Sequence, residues 1–336
     1  MKPGTVLLLG DANIDAIMPV AEFPVPGRDG LASDLSIEIG GAVVNTAIML
    51  HKLGQPSRLL SGIGSDIWAE YLTRHLQGTR IDTRYLASKP NGATGLTFII
   101  ATPDGERTMF SYRGANALLD KHDVDERAFH DAALLHISGY ALMRSPQKEA
   151  AWHAVSLAKE HGLEISIDTG LEPVIQNPRD LLTLLPSVSL FISGRQEVSQ
   201  LLNCESPDKA ADRLLGMGIR QVAVMMGRDG SLLADHSARL AFPAFPVRQV
   251  DSTGAGDSYA AGLLFGYLRG WGLRASAALA SALGALAVTV YGAGFSLPYR
   301  EKITRFLSSM RTEPTASAFH LAIDDILPEL QQGVNP

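Results

Sequence analysis

The alternation of apolar and polar positions divides most of this chain into short strands and longer helices. The run from Thr5 to Leu9 is rich in leucine and ends at Gly10-Asp11. Such a run predicts a buried strand, and the polar turn predicts a functional loop at its carboxyl end. From about residue 132 onward, strand-like and helix-like segments alternate, which predicts a mostly parallel sheet with helices on both faces.

The predicted elements of this doubly wound α/β fold cover most of the chain. In the first part we expect a helix at 43–54, a strand at 57–63 and a helix at 66–77. Strands are then expected at 134–137, 164–167, 188–192 and 221–226. The later helices are expected at 146–161, 195–202, 207–217, 256–269 and 273–291. Ligands of such folds bind beyond the carboxyl ends of the strands.

Two stretches, about 14–39 and 95–112, depart from this pattern. Alternating apolar positions in the first, and a turn at Pro103-Asp104-Gly105 in the second, are typical of exposed antiparallel strands. We expect both stretches to form a small β lid on the main sheet. Residues 1–311 would then be one domain, followed by a tail (312–336) that packs as a helix.

Composition narrows the class of protein. The chain has 336 residues, 46% of them hydrophobic, which is enough for a large core. A net charge of -6 argues against a nucleic-acid partner, and the single Cys204 excludes an intrachain disulfide. No apolar stretch approaches the roughly 20 residues of a membrane span, and the first apolar run is too short for a signal peptide. We therefore expect a cytoplasmic protein without a membrane partner.

The segment from Val250 to Ser258 carries the most chemical information. Gly254, Ala255 and Gly256 permit a tight turn with outward N–H groups, and the helix that follows adds its free N–H groups and positive dipole end. This backbone site suits charge on a transferring phosphoryl group. Asp257 would lie beside it, where a carboxylate can take a proton from a hydroxyl. A bare Gly-x-Gly-Asp would equally fit a capped helix start.

The whole segment resembles the C-terminal signature Asp-Thr-x-Gly-Ala-Gly-Asp of the ribokinase-like, or PfkB, carbohydrate kinases, with Ser252 where Thr is usual. Gly40 to Asn45 resembles the family's Gly-Gly-x-x-x-Asn motif. Independently of the family, its glycines allow a ligand to approach the backbone, and Asn45 offers a donor and an acceptor. Gly10 to Asp15 resembles the opening motif. The resemblance implies that Asn13, Asp15, Gly41 and Asn45 bind a sugar.

On the nucleotide side the resemblance is thinner. Gly227 and Gly230 match the turn that covers the phosphates and adenine of ATP, although Met225 stands where Thr is common. Glu197 matches a glutamate that organises Mg²⁺ through water. The asparagine usual in that motif is replaced by Gly194, and Asp168-Thr169-Gly170 departs from the commoner Asp-Pro-Asn.

Two further implications concern ions and the lid. Asp251 and Thr253 match positions beside a monovalent cation in many members of the family, so potassium activation is left open. Arg107 follows Gly105-Glu106, which resembles a Gly-Glu-Arg common in the family. It would either face the substrate or form a hairpin ion pair.

These observations predict an ATP-dependent kinase that phosphorylates a primary hydroxyl of an unphosphorylated sugar or sugar-like substrate, with Asp257 as base. A nucleoside kinase of the same fold is the first alternative, because Phe98, Phe110 and Tyr112 of the lid could hold a base. A sugar sensor without activity is the second, given Gly194. The sequence lacks the Gly-x-Gly-x-x-Gly of a dinucleotide-dependent oxidoreductase and the P-loop motif. Exposed lid edges can pair between subunits, which leaves a homodimer open.

Overall fold

Strand β1 (Thr5–Leu9) lies inside a large sheet. Val6 and Leu8 belong to the core on one face of the sheet, and Leu7 and Leu9 belong to the core on the other face. All four side chains are fully buried. Because side chains alternate between the two faces of a strand, a strand apolar on both sides needs cover on both sides.

The computed structural model describes residues 4–103 and 107–332. Ten strands form the main sheet in the order β14-β13-β12-β11-β10-β9-β1-β4-β5, and β6 pairs with β4. Pairing is parallel from β12 to β5, and β13 and β14 add an antiparallel edge. Besides β1, its strands are β4 (Ser57–Ile63), β5 (Ile81–Asp82), β6 (Leu86–Ser88), β9 (Ala132–Ser138), β10 (Glu164–Asp168), β11 (Leu190–Gly194), β12 (Gln221–Met225), β13 (Ser231–Asp235) and β14 (Arg239–Phe242).

Helices cover both faces, as the sequence predicted. One face carries α1 (Ala42–Lys52), α2 (Ile67–Leu76), α8 (Ala255–Leu268), α9 (Leu273–Ala287), α10 (Arg300–Met310) and α11 (His320–Gln332). The other carries α3 (Gln147–Glu160), α4 (Leu171–Gln176), α5 (Pro178–Leu184), α6 (Arg195–Leu202) and α7 (Pro207–Gly216). The doubly wound α/β prediction is confirmed.

The lid is a second sheet of four strands in the order β3-β2-β7-β8. Its strands are β2 (Asn13–Pro19), β3 (Ser36–Gly40), β7 (Gly95–Ala101) and β8 (Arg107–Tyr112). A lid was predicted, but β2 is largely buried and pairs parallel to β7 as well as antiparallel to β3. The predicted turn at Pro103-Asp104-Gly105 falls partly on residues 104–106, which lie outside the described residues.

The end of α9 also differs from the prediction. Helix α9 ends at Ala287 rather than at 291, because the carbonyl of Val288 accepts hydrogen bonds from the N–H groups of Val250 (2.7 Å) and Asp251 (3.3 Å). The segment after α9 therefore supports the loop that precedes α8. The β13–β14 hairpin was not predicted.

The C-terminal segment packs against the main domain. Ile323, Ile326 and Leu330 of α11 are buried in the same core as α9 and α10. The division at residue 311 stays a prediction. Among the described residues, no helix has the length and apolar character needed to cross a bilayer.

Candidate active site

Helix α8 begins at the loop that the sequence singled out, residues 251–257, called the anion loop below. Gly254 precedes the helix with φ +73°, a left-handed conformation that favours glycine. A Cβ there would lie 2.8 Å from the Cβ of Ala293. Ala255 N–H already makes a long turn bond to Ser252 O (3.3 Å). The N–H groups of the helix's first turn have no partner within the helix and present a positive end.

Asp257 lies in the first turn of α8, and its carboxylate is held from α1. Asn45 Nδ2 donates to Asp257 Oδ2 at 2.8 Å. The Thr46 hydroxyl, which donates to Ala42 O at 2.9 Å, lies 3.3 Å from Asp257 O. Burial raises the pKa of Asp257 to about 6, although the Asn45 hydrogen bond and the charge of Arg107 lower it. Asp257 is thus ionised at neutral pH and more basic than an ordinary aspartate.

Asp15 lies on the lid strand β2 and is only 6% exposed. Burial raises its pKa to about 7, and repulsion by Asp257 and Glu38 adds to this effect. A hydrogen bond from Thr97 and the charge of Arg107 act in the opposite direction. Asp15 and Asp257 therefore come close enough to influence each other, although Asp15 lies on the lid and Asp257 on helix α8.

A cavity of about 560 Å³, called the lid cavity, separates the lid from the carboxyl ends of the main-sheet strands. Most residues predicted to bind or act on substrate line it: Asn13, Asp15, Gly41, Asn45, Arg107, Gly254, Gly256 and Asp257. Gly41 has φ +93°, and a Cβ there would lie 2.3 Å from Asp11 O. The backbone of Asp11 therefore leaves no room for a side chain at this position.

Sequence reasoning missed a polar network in the wall of this cavity. Arg113 binds both carboxylate oxygens of Asp11 at 2.7 Å and also donates to Gln147, which donates to Asp11 Oδ1 at 3.0 Å. Asn116 Nδ2 donates to Asn13 Oδ1 at 2.9 Å, so Asn13 is oriented from the same side. The Arg-Gly-Ala-Asn segment directly after β8 was the available signal.

Arg107 reaches across from the lid to the anion loop. Its Nη1 lies 3.5 Å from Asp251 Oδ1 and donates to Thr253 Oγ1. The sequence left substrate contact and a hairpin ion pair open. Arg107 does line the lid cavity, but its ion pair is with the anion loop. Gly105 and Glu106 of the Gly-Glu-Arg resemblance lie outside the described residues.

The lid aromatics do not line the lid cavity. Because side chains alternate along a strand, Thr97 and Ile99 of β7 and Met109 and Ser111 of β8 line it instead. Phe98, Phe110 and Tyr112 are 43%, 57% and 55% exposed on the other face. Among the described residues that line the lid cavity, Tyr140 is the one that has an aromatic ring.

A second cavity of about 500 Å³ adjoins the first. Gly227 and Gly230, predicted to bind nucleotide, line it together with apolar residues of α8 and α9. Met225, Ser252 and Gly256 line both cavities. Ser252 and Gly256 of the anion loop therefore lie where the two cavities adjoin.

Two carboxylates face the lid cavity: Asp168 at the end of β10 and Glu197 in the first turn of α6. Glu197 Oε2 accepts from Gly194 N–H and lies 3.3 Å from the hydroxyls of Thr169 and Ser193. Burial raises the pKa of Asp168 well above its usual range, and Glu197 and Asp257 add repulsion. Asp168 was noted in the sequence only as a departure from a motif, yet it lies where the strand end meets the cavity.

Comparison with known proteins agrees with this geometry. The model described as pfkB family carbohydrate kinase matches residues 4–300. The 5-dehydro-2-deoxygluconokinase of Clostridium tetani (strain Massachusetts / E88) is 28% identical over 289 residues, 82% of this chain and 85% of the relative. Deoxyribokinase of Salmonella typhi is 26% identical over 309 residues, 90% of this chain and 98% of the relative.

Among solved structures, an E. coli protein described as a ribokinase II, in complex with ATP and Mg²⁺, superposes with a TM-score of 0.83. It is 24% identical, and the match covers 91% of this chain and 99% of that chain. This likeness shows the fold. Because the family model spans nearly the whole chain, the protein belongs to the pfkB family of carbohydrate kinases and is an ATP-dependent kinase of a sugar or a nucleoside.

Proposed function

We propose that the protein phosphorylates a primary hydroxyl of an unphosphorylated sugar or sugar-like substrate, with Asp257 as the base. The observation that carries the proposal is the meeting of three groups at one cavity. They are the ionised carboxylate of Asp257, the N–H groups at the start of α8, and Asp15, which can accept hydrogen bonds from two neighbouring hydroxyls. A base must lie within reach of the proton that it abstracts, and Asp257 faces the space that a sugar would fill.

In this reaction Asp257 takes the proton of the substrate hydroxyl as its oxygen attacks the γ-phosphorus of ATP in line. The new O–P bond forms while the bond to the oxygen bridging the β- and γ-phosphates breaks, and its electron pair leaves with ADP. The N–H groups of the anion loop at Gly254, Ala255 and Gly256 stabilise the charge on the transferring group. Lid closure excludes water, which limits hydrolysis of ATP.

The second cavity is the place for ATP, because it shares the anion loop with the lid cavity and carries Gly227 and Gly230. Glu197 and Asp168 fit a hydrated divalent cation, since both carboxylates face the same space. Burial, with added repulsion by Glu197, raises the pKa of Asp168, and a nearby cation would relieve both effects. Bound there through water, Mg²⁺ would neutralise charge on the phosphates. The solved structure described in complex with ATP and Mg²⁺ supports the use of these two ligands.

The lining of the lid cavity favours an unphosphorylated sugar. Acidic side chains outnumber basic ones: Asp11, Asp15, Asp168, Glu172, Glu197 and Asp257 against Arg107 and Arg113. A phosphate group on the substrate would be repelled. The outward position of the lid aromatics removes the base slot on which the nucleoside alternative depended. The names of the two curated relatives place deoxy sugars and sugar acids among the first substrates to try.

The decisive experiment measures ADP release from Mg-ATP with a panel of sugars, sugar acids, deoxy sugars and nucleosides. Asp257→Asn should lose turnover by about 10²- to 10⁴-fold, the usual worth of a general base. Asp208→Asn, an exposed position on α7, is the matched control and should retain activity. Tight binding of one compound of the panel without turnover would instead support the alternative of a sugar sensor without kinase activity.

Two further expectations stay predictions. The exposed outer face of the lid, with Phe98, Phe110 and Tyr112, is compatible with a homodimer, which the molar mass in solution would test. A cytoplasmic location is the second of these predictions.

A further inference from the structure

The surroundings of Asp251 differ from what a monovalent cation site requires. Asp251 Oδ1 accepts from the Thr253 N–H (2.9 Å) and hydroxyl (2.8 Å), and Oδ2 accepts from Gly292 N–H (2.9 Å). Arg107 Nη1 lies 3.5 Å from Oδ1 and donates to the Thr253 hydroxyl. The oxygens that the resemblance assigns to a cation therefore already face donors, one of them a full positive charge.

A potassium ion is held by oxygens that replace its hydration shell. To bind potassium, the carboxylate oxygens of Asp251 would have to give up the hydrogen bonds that they now accept. The ion would then lie beside the Arg107 guanidinium, which carries the same charge. Like charges a few ångströms apart repel strongly in a partly buried site, and Asp251 and Arg107 are only 12% and 28% exposed at their side chains. The residues present thus do not fit a monovalent cation at Asp251.

Among the described residues, Glu38 offers a competing position. Its Oε1 accepts from Ser296 Oγ (3.2 Å) and Ser36 Oγ (3.4 Å), and its Oε2 is buried. Burial raises the pKa of Glu38 and repulsion by Asp251 contributes, although hydrogen bonds from Ser296, Ser36 and the Ala293 backbone lower it. A proton bound to Glu38 would reduce the negative charge beside Asp251 without any metal ion. The melting experiment with Glu38→Gln, described below, distinguishes a protonated Glu38 from a cation bound to it.

We propose that the guanidinium of Arg107 supplies, at Asp251 and Thr253, the positive charge that the family resemblance assigns to a monovalent cation. The kinase is then independent of such cations. Arg107 acts as a positioning residue: through Asp251 and Thr253 it holds the anion loop in the shape that presents the N–H groups at the start of α8. Because Arg107 belongs to β8, the charge reaches the loop only when the lid lies over the cavity.

The first test measures turnover with the substrate found above in lithium, sodium, potassium, ammonium and caesium chloride at constant ionic strength. Wild type should vary by less than about twofold, since screening is constant. Arg107→Ala should lose kcat by about 10- to 100-fold, the effect expected of a misplaced site. Potassium, ammonium or guanidinium ions should restore much of that loss, and Arg107→Lys should retain most activity. Arg84→Ala, an exposed arginine paired with Asp82, is the charge-matched control.

Several outcomes would overturn the proposal. They are activation of wild type by potassium, a raised KM in Arg107→Ala that no cation changes, and loss of kcat without rescue by any cation. The kinase function is judged separately, because wild-type turnover with Mg-ATP decides it regardless of the salt.

A second readout needs no turnover. Potassium bound to the folded state raises its melting temperature by mass action. We expect equal melting temperatures of wild type in potassium and lithium chloride, and a higher one in potassium for Arg107→Ala alone. A potassium-dependent rise in wild type that disappears in Glu38→Gln would place a cation at Glu38 and refute the inference.

Discussion

Asn45 holds the carboxylate of Asp257 with one end of its amide and the turn at Gly294 with the other. Its Nδ2 donates to Asp257 Oδ2 at 2.8 Å, and its Oδ1 accepts from Gly294 N–H at 3.0 Å. The amide is thereby fixed in one orientation, with both ends engaged. The motif resemblance assigns Asn45 to the substrate, and Asn45 lines the lid cavity. Its contact with Asp257 suggests a second role, the orientation of the proposed base.

Replacement of Asn45 by alanine should therefore affect chemistry as well as binding. Loss of the donor raises the pKa of Asp257 further and frees its carboxylate to rotate. We expect kcat to fall by about 10- to 100-fold and the acidic limb of the pH profile to move to higher pH. Asn91→Ala, at an exposed position, is the control. A rise in KM alone, with kcat unchanged, would show that Asn45 serves only the substrate.

The pH dependence of kcat/KM should report both carboxylates. With the pKa of Asp257 at about 6 and that of Asp15 at about 7, activity should rise between pH 5 and 8 as each loses its proton. Because the groups interact, the apparent values belong to the pair. In Asp15→Asn only the lower transition, that of Asp257, should remain when the pH profile is measured at a saturating concentration of ATP. A wild-type profile that is flat above pH 5 would contradict this expectation.

Stability should also depend on Asp15. The raised pKa means that the folded protein binds more protons than the unfolded chain between pH 3.8 and about 7. The contribution of Asp15 is thus most favourable below pH 3.8 and is lost progressively as pH rises to about 7. Asp15→Asn should exceed wild type in free energy of unfolding by about 1–3 kcal/mol at pH 8, and by clearly less at pH 5. Urea unfolding at both pH values measures this, and Asp208→Asn should show no such pH dependence.

Two glycines with similar backbones separate strain from function. Gly254 has φ +73° beside Ala293, whereas Gly270 has φ +67° and open space around it. Alanine at either position should lower the free energy of unfolding by about 1–3 kcal/mol through the left-handed backbone. Only Gly254→Ala should also lower kcat, because it displaces the start of α8. Equal kcat values for the two variants would remove the anion loop from the mechanism.

The parts of the site that sequence predicts are those encoded locally. The anion loop and the Gly40 to Asn45 motif each consist of a few consecutive residues with special backbone needs, and both lie at the lid cavity. Alternation of apolar segments likewise predicted the doubly wound sheet, because each strand and helix shows its own periodicity.

The parts that sequence did not predict depend on distant partners. Asp11 meets Arg113 and Gln147, which are 102 and 136 positions away. Arg107 meets Thr253 at a separation of 146 positions. No local pattern reveals which of several polar residues will meet, since that is decided by how the lid lies on the main sheet. The direction of the lid aromatics depended on strand register in the same way.

The separation of Asn45 from Asp257 by 212 positions has a consequence for protein synthesis. Helix α1 leaves the ribosome long before α8 and the turn at Gly294 exist, and contacts between such remote segments form late in folding. A nascent chain consequently carries Asn45 before Asp257 exists. A chain that terminates before residue 257 lacks this carboxylate, so the proposed base and the residue that orients it meet only late in synthesis.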